Sequence, residues 1–335
     1  MGHIIMPSFA FRTSLSEDVG VRSGFALNEV EILAHLPEEH SLRSGLEADV
    51  AMRVGSDEYA DTVGDLLHAF GVTDEPGMPT VGIRLMKLAG RDWREFATLE
   101  EMMTIEAVAN RYLHLRNSND AEQASILAEL RTMVGGKVGI WDALQEAMKN
   151  HLAFSPFFTR SVAHADRIAL DALFASEQLP TEPERYFDQR FINYLAAQPW
   201  RLGDINWRQF EGLTAEWFQR EGYKVELGPG RNDGSVDVRL WNADAPRGAP
   251  PAVIVQCKRQ TRKVERVVVK ALYADMLEED ADRGLVVTTS DISPGAAKDV
   301  SARAYPITTA NRTQVQRWIE AMRKPDAGVI AGAFE

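Results

Sequence analysis

The sequence predicts a mainly α-helical N-terminal domain, residues 1–195, followed by an α/β domain, residues 196–335. Three observations predict this fold class. The chain of 335 residues is long enough for two hydrophobic cores, since single cores stop growing at about 250–300 residues. Apolar residues recur every three or four positions from Ser56 to Pro199, which is the helical period. After Pro199, short β-rich runs alternate with helical segments.

The helical part is best defined in its middle. Its clearest amphipathic run is Ala60, Val63, Leu66, Leu67 and Phe70. Thr98 and the segment 118–120 each precede a helical run and are residue types that cap helix N-termini. The segment before Ser56 shows no period that predicts a structure. We place the domain boundary between Pro180 and Gly203, where the helical period ends.

The α/β part contains nine predicted elements in the order α-β-β-β-α-β-α-β-α, separated by Gly, Pro, Asn and Asp clusters. They are the helix Trp207–Glu221, strands Tyr223–Leu227, Ser235–Trp241 and Ala252–Lys258, helix Val264–Glu279, strand Gly284–Thr289, helix Pro294–Ala304, strand Pro306–Thr309 and helix Thr313–Arg323.

Composition restricts the class of protein and its compartment. Hydrophobic residues make up 45% and charged residues 26%, as in globular proteins. No apolar run reaches the ~18–20 residues of a membrane span, so no membrane partner is expected. The segment 1–12 lacks the pattern of a secretory signal, and the single cysteine, Cys257, cannot form an intramolecular disulfide. We therefore expect a cytoplasmic protein.

The net charge of −12 is unevenly distributed. Residues 201–335 contain 20 Lys and Arg against 19 Asp and Glu, a charge of +1, which leaves −13 for residues 1–200. A basic track follows the third predicted strand and consists of Arg259, Arg262, Lys263, Arg266 and Lys270. Such a track indicates either a solvated charged surface or a surface that contacts nucleic-acid phosphates.

Strand geometry brings together the residues that could carry chemistry. Side chains alternate between the two faces of a strand, so Gln256 and Lys258 share one face and Cys257 lies on the other. A lysine at the end of a buried strand is costly unless a polar group meets it, and Asp237 in the preceding strand can do so. Asp237 could hold Mg²⁺ while Lys258 orients or deprotonates a water molecule, and Glu211 on the first helix could reach the same metal.

These residues belong to an ordered series of motifs that resembles the catalytic domain of Mrr-type restriction endonucleases, within the PD-(D/E)xK nuclease superfamily. The resemblance extends through most of the predicted α/β part, including the helix around Val269–Tyr273 and the segment Gly284–Ala296. Its main motifs are Phe210-Glu211-Gly212-Leu213, Glu221-Gly222-Tyr223-Lys224-Val225, Asp233-Gly234-Ser235-Val236-Asp237 and Gln256-Cys257-Lys258-Arg259.

The resemblance implies a restriction-endonuclease-like fold, a central mixed sheet flanked by helices, and a role for each motif residue. Asp237 would bind the metal and Lys258 would be the catalytic lysine. Gln256 stands where most of the superfamily has Asp or Glu, a variant typical of the Mrr type, and would help to hold Mg²⁺, for which Mn²⁺ can substitute. Glu211 would be a further metal ligand. Ser235 departs from a commoner glycine, which affects the turn more than catalysis, and Asp233 is interpreted as a turn residue.

The expected function is that of a Mg²⁺-dependent endodeoxyribonuclease that hydrolyses phosphodiester bonds of double-stranded DNA in restriction or antiphage defence. Cleavage of both strands implies a homodimer or higher homo-oligomer. Residues 1–195 would act as a sensor, assembly or autoinhibitory domain that responds to an activating ligand or partner protein. Two alternatives remain open: a structure-selective DNA repair nuclease such as a junction resolvase, and a catalytically inactive DNA-binding protein.

Overall fold

A computed structural model describes residues 3–78, 97–115, 120–135, 140–155, 161–162, 166–230, 236–325 and 329–330. The chain divides into two compact units. The N-terminal unit comprises Met1–Ala69, Thr73–Arg167 and Asp326–Glu335, and the C-terminal unit comprises Phe70–Val72 and Ile168–Pro325. Among the described residues, no helix is both long and apolar enough to cross a membrane.

The C-terminal unit contains a five-stranded mixed sheet. Its elements are α8 (Leu170–Ala175), α9 (Gln189–Ala197), a 3-10 helix (Pro199–Gly203), α10 (Trp207–Arg220), β4 (Lys224–Leu227), β5 (Val238–Trp241), β6 (Val253–Lys258), α11 (Arg266–Glu278), β7 (Arg283–Thr288), α12 (Pro294–Arg303), β8 (Ile307–Ala310) and α13 (Arg312–Met322). The strand order is β4-β5-β6-β7-β8. β4, β5 and β6 pair antiparallel, whereas β6, β7 and β8 pair parallel.

Local sequence explains where these elements begin and end. Asn206 caps α10 by accepting a hydrogen bond from the Arg208 N–H, and Asn311 forms a capping box with Gln314 at the start of α13. All nine predicted elements are present, with no end shifted by more than three residues. The largest shift is at the start of the second predicted strand, which corresponds to β5 and begins at Val238. Its predicted start, Ser235, lies outside the described residues.

One face of the sheet packs on α11 and α12. Its core cluster of buried residues contains Val236, Ile254, Val264, Val269, Leu272, Met276, Val286, Ala296 and Ile307. Ile254 of β6 and Val286 of β7 are both fully buried in this cluster. The mixed sheet flanked by helices is the restriction-endonuclease-like architecture that the resemblance implies.

The main segment of the C-terminal unit starts at Ile168, whereas the boundary predicted from the sequence lies before residue 196. The reason is a group of buried aromatic rings that precedes the sheet. Phe191 packs edge-on against Phe174 with ring centroids 4.8 Å apart, and it stacks on Phe187 at 5.1 Å. Glu216 of α10 accepts hydrogen bonds from the Tyr186 and Phe187 N–H groups. The segment 168–195 therefore completes the core of the C-terminal unit.

The N-terminal unit is mainly helical among its described residues. Its elements are β1 (His3–Pro7), α1 (Ser8–Ser23), α2 (Glu29–His35), α3 (Arg43–Glu47), β2 (Ala51–Gly55), α4 (Ser56–Ala69), α5 (Leu99–Leu115), α6 (Asp120–Val134), α7 (Ile140–Phe154), β3 (Ser161–Val162) and β9 (Val329–Ile330). The predicted cap at Thr98 is present, since the Thr98 hydroxyl accepts from the Glu101 N–H. The other predicted cap is the segment 118–120, and residues 118–119 of it lie outside the described residues.

The segment before Ser56, for which the sequence predicted no structure, contains an antiparallel pair of strands around three helices. β1 pairs with β2 so that Ile4 lies opposite Val54. Nearby, Arg22 contacts the Asp18 carboxylate at 3.0 Å and donates to the Ser155 carbonyl, while the Tyr59 hydroxyl donates to Asp18. These bonds connect α1 with α4 and with the end of α7.

Candidate active site

Two neighbouring strands bring Asp237 and Gln256 together at one edge of the sheet. β5 pairs with β6 so that Val238 lies opposite Val255, and Asp237 therefore lies opposite Gln256. The Gln256 side-chain amide donates to Asp237 Oδ2 at 2.6 Å, and the Cys257 N–H donates to the same oxygen at 2.6 Å. Gln256 is 5% exposed. The strand register thus places the Asp237 carboxylate next to the end of β6.

The carbonyl group of Lys258 is held by the neighbouring strand. It accepts hydrogen bonds from the Thr288 hydroxyl at 2.8 Å and from the Thr289 N–H at 3.3 Å. The Lys258 side chain is partly buried, and its ammonium group makes no hydrogen bond or ion pair with the described residues. A fixed backbone and an ammonium without a carboxylate partner leave this lysine able to contact a substrate.

Glu211 lies on α10 and is 6% exposed. Its carboxylate forms an ion pair with Arg208 at 2.7 Å, and the same Arg208 nitrogen donates to the Gly228 carbonyl at 2.9 Å. Gly228 in turn is bonded through its N–H to the Asp237 carbonyl. The Glu211–Arg208 pair is therefore connected to the loop that leads toward Asp237. Sequence reasoning missed Arg208, and the only signal was its spacing of three residues from Glu211 on one helix face.

Cys257 lies on the face of β6 opposite Gln256. Its thiol is 3.6 Å from the Thr214 hydroxyl of α10, whereas Ile254, which shares the Gln256 face, packs with α11. Burial raises the pKa of the Cys257 thiol well above its usual range, and the negative charges of Asp237 and Glu211 raise it further. The thiol therefore stays neutral, and both carboxylates are near enough to influence its pKa.

The donor chemistry of this edge fits a hard divalent cation. Asp237 and Glu211 supply carboxylate oxygens, and Gln256, whose amide nitrogen is bonded to Asp237, has a carbonyl oxygen left for a cation. Within the ranges that the structure describes, no group of three or more His, Cys, Asp or Glu side chains could hold a metal ion. A metal here would be held by the Asp237 carboxylate and the Gln256 amide oxygen, and Glu211 would have to give up its ion pair with Arg208 to join them.

The predicted DNA-binding residues all lie on the surface of the C-terminal unit. Arg259, Arg262 and Lys263 are exposed in the loop after β6, and Arg266 and Lys270 are exposed on the first turns of α11. Two of the five are engaged: Arg259 donates to the Gly203 carbonyl at 3.1 Å, and Lys270 is 3.8 Å from Asp299. The basic track thus begins next to Lys258 and continues along α11. Asp233, interpreted as a turn residue, lies outside the described residues.

Comparison with known proteins identifies the C-terminal part of the chain. Residues 202–319 match the model of the Mrr_cat family, described as a restriction endonuclease. Residues 202–319 therefore match the restriction-endonuclease domain family, and the resemblance in the motifs is confirmed. Domains of the PD-(D/E)xK type generally use divalent metal ions.

Two individual proteins are also similar. An uncharacterized protein, y4cE, of Sinorhizobium fredii (strain NBRC 101917 / NGR234) is 27% identical over 136 residues, or 40% of this chain. The match covers 35% of that relative, so the chain spans about a third of its length. A solved structure, the MspJI restriction endonuclease in complex with a 27-mer oligonucleotide, is 19% identical with a TM-score of 0.29. The match covers 52% of this chain and 39% of that one.

Proposed function

We propose that this protein is a Mg²⁺-dependent endodeoxyribonuclease that hydrolyses phosphodiester bonds in double-stranded DNA. The observation that carries the proposal is the convergence of Asp237, Gln256 and Lys258 at one edge of the sheet, inside a restriction-endonuclease domain. Hydrogen bonds from Thr288 and Thr289 fix the strand end that holds Lys258. This arrangement supports catalysis, because a packed core would not require a carboxylate, an amide and an unpaired ammonium together.

Each residue has a separate task in the proposed reaction. Asp237 and the carbonyl oxygen of Gln256 would hold the metal, which when bound supplies Lewis-acid stabilisation of charge on the phosphate. The Lys258 ammonium would contact a nonbridging phosphate oxygen and orient the attacking water. Gln256 also fixes the rotamer of Asp237 through its amide bond of 2.6 Å, which keeps the carboxylate in position before substrate arrives.

Glu211 is proposed as a positioning residue as much as a metal ligand. Its ion pair with Arg208 places the guanidinium on the Gly228 carbonyl, and Gly228 is bonded to Asp237. An added Cβ at Gly228 would lie 2.7 Å from the Val236 carbonyl oxygen, so the two backbone segments are in close contact there. The pair would thus fix the approach to Asp237 whether or not Glu211 also contacts the metal.

The basic track would bind the phosphate backbone beside the cut. The exposed side chains Arg262, Lys263 and Arg266 follow Lys258 closely in the chain and are the cations best placed for this contact. Each phosphate contact should make DNA affinity fall with salt. Lys270 would contribute less, because Asp299 partly neutralises it.

The proposed biological role is restriction or antiphage defence in the cytoplasm, by a homodimer or higher homo-oligomer that cuts both strands. The N-terminal unit would sense an activating ligand or partner protein, build the assembly or restrain the nuclease. A structure-selective repair nuclease would use the same active site. A catalytically inactive DNA-binding protein fits the structure less well, because it would not need a lysine whose backbone is fixed and whose ammonium has no partner among the described residues.

The test is a panel of plasmid, methylated and branched DNA incubated with the full-length chain in Mg²⁺, in Mn²⁺ and in EDTA. We expect cleavage with Mg²⁺ and none in EDTA. Lys258→Ala should reduce cleavage at least about 100-fold, the usual size of an acid–base or charge contribution, with DNA binding retained. Asp237→Asn should weaken the use of metal and be partly rescued by excess Mn²⁺.

Three results distinguish the functions. Cleavage confined to branched DNA would favour the repair nuclease. Binding without cleavage of any substrate in either metal would identify the inactive binding protein. Full activity of Lys258→Ala, with unchanged thermal unfolding, would refute the assignment of the active site. Arg283→Ala serves as the control, because it removes an exposed cation at the opposite end of β7.

A further inference from the structure

A cavity of ≈ 350 Å³ lies beside the active site, and the proposed reaction does not use it. It is at the carboxyl ends of the three parallel strands: Gln260 follows β6, Thr289 follows β7 and Arg312 follows β8. This edge of an open α/β sheet is where ligands commonly bind. Gly203, on another wall, faces open space, since an added Cβ would meet no atom within 4 Å.

The cavity wall is connected to the catalytic strand by short hydrogen bonds. The Thr289 N–H donates to the Lys258 carbonyl, and the Thr289 hydroxyl accepts from the Gln260 N–H at 3.0 Å. Gln260 is only two residues after Lys258. A group bound in the cavity would therefore lie close to the phosphate that Lys258 contacts.

The lining presents both donors and acceptors. Arg312 supplies a guanidinium and Asp291 a carboxylate, while Gln260, Thr261 and Thr313 supply an amide and two hydroxyls. A second phosphate would meet repulsion from Asp291, whereas the edge of a nucleobase carries donors and acceptors together. This mixed lining favours a base over a phosphate.

An exposed indole lies on the helix that borders the cavity. Trp200 is 64% exposed and belongs to the 3-10 helix Pro199–Gly203, whose last residue lines the cavity. Two cations are bonded to the backbone of this helix: Arg312 donates to the Trp200 carbonyl at 3.0 Å and Arg259 to the Gly203 carbonyl at 3.1 Å. An exposed aromatic ring beside fixed positive charges is the combination that binds unpaired nucleotides by stacking and phosphate attraction.

We propose that Trp200 and this cavity form a subsite for a nucleobase that has left the duplex next to the bond that is cut. The inference rests on the proposed function and adds a substrate preference to it. Extruding a base from an intact duplex costs a few kcal/mol, whereas an unpaired base requires much less. DNA with one unpaired base near the cleavage position is therefore bound more tightly than the same duplex fully paired.

The test uses the full-length chain with Lys258→Ala, so that the DNA stays intact, and two short duplexes. One contains a single unpaired 2-aminopurine, and the other contains the same base paired with thymine. We expect about tenfold tighter binding of the unpaired duplex, with quenched 2-aminopurine fluorescence, as base–aromatic stacking allows. Trp200→Ala should remove this preference and leave affinity for the paired duplex within about twofold. Trp200→Phe should restore most of the preference.

Two further variants separate the cavity from general effects. Thr313→Phe, at an exposed position on the cavity wall, fills the space and should also remove the preference. Leu277→Ala shortens another exposed apolar side chain of the same unit, 68% exposed on α11, and should keep the preference. Equal affinity for both duplexes, or an undiminished preference in Trp200→Ala, overturns the subsite. If the unmodified chain also cuts the paired duplex in Mg²⁺, the proposed function stands. If it neither binds nor cuts either duplex, both proposals fail.

Discussion

The two units use buried polar residues in different ways. In the N-terminal unit, Arg22 is 5% exposed and its charge is matched by Asp18, while Tyr59 donates to the same carboxylate. Burial, together with the Asp18 charge, raises the pKa of Tyr59 and keeps it neutral. At the proposed active site of the C-terminal unit, Asp237 is held by hydrogen bonds, but Lys258 has no carboxylate partner among the described residues.

If the proposed active site is correct, this difference separates structural polar groups from functional ones. A buried charge with an internal partner connects helices and contributes to stability, and removing the partner leaves an uncompensated charge. A charge that is positioned by its backbone but lacks a partner contributes little to stability and is available for a substrate. Substitutions in the first group should therefore change unfolding, and substitutions in the second should change cleavage.

The largest expected effect tests whether the two units are independent. A fragment of residues 168–325 should fold, whereas a fragment of residues 196–325 should not. The shorter fragment lacks the buried residues Phe174, Phe187, Phe191 and Tyr194, and it also lacks the Tyr186 and Phe187 N–H groups that bond to Glu216 of α10. Truncating one buried aromatic residue costs about 3–5 kcal/mol, so losing four exceeds the stability of most domains.

Circular dichroism and thermal unfolding of both fragments provide the measurement. The longer fragment should give a cooperative transition and the shorter one none. Equal cooperative transitions would show that segment 168–195 is dispensable and would restore the predicted boundary at 196. Failure of the longer fragment as well would point to Phe70–Val72, which also belongs to this unit and whose Gly71 carbonyl accepts from Arg323.

The next prediction concerns the buried ion pair of Arg22 and Asp18 in the N-terminal unit. Asp18→Ala should lower the free energy of unfolding by about 2 kcal/mol, because it leaves the Arg22 guanidinium buried without its carboxylate. DNA cleavage at a temperature well below unfolding should be unchanged. Asp49→Ala, which removes an exposed carboxylate from the same unit, should change stability by less than about 0.5 kcal/mol. Loss of cleavage in folded Asp18→Ala would contradict the separation of the two groups.

How much the sequence predicts also differs between the units. Every strand of the five-stranded sheet was predictable, because each is a short β-rich run with Gly, Pro, Asn or Asp close to at least one of its ends. The alternation of side chains along a strand also placed Gln256 and Lys258 on one face of β6. The register of β5 on β6 then determined that Asp237 lies opposite Gln256. The pair β1–β2 was not predictable, because three helices separate its strands in the chain and each strand is only five residues long.

Two features of the C-terminal unit required tertiary structure. The segment 168–195 has a helical period, so the sequence pattern grouped it with the preceding helices, although its Phe187 N–H group bonds to Glu216 of α10. Arg208 carries no motif signal, and its importance depends on contacts with Glu211 and with Gly228, which lies beyond the end of its helix. Packing partners that are distant in sequence leave no local pattern.

The smallest expected effect concerns Glu211 and Arg208. They share features of both kinds of polar group, since they form a buried ion pair at the edge of the proposed active site. If Glu211 acts through Arg208, then Glu211→Gln and Arg208→Ala should each lower kcat by about tenfold, or about 1.4 kcal/mol in the barrier. The double variant should lose no more than either single variant, because both substitutions release the same Gly228 carbonyl. The Mg²⁺ concentration for half-maximal cleavage should stay within about twofold in Arg208→Ala.

A direct metal ligand would behave differently. Glu211→Gln would then raise the required Mg²⁺ concentration severalfold, whereas Arg208→Ala would lower it, because the freed carboxylate could bind the cation more tightly. Cleavage rates across a Mg²⁺ titration for the three variants therefore decide whether Glu211 holds the metal or positions the loop. Arg220→Ala is the matched control, because Arg220 pairs with Glu216 on the same helix and contacts the Met322 carbonyl, away from Asp237. It should lower stability and leave both kcat and the Mg²⁺ requirement unchanged, since its partners belong to the packing of α10.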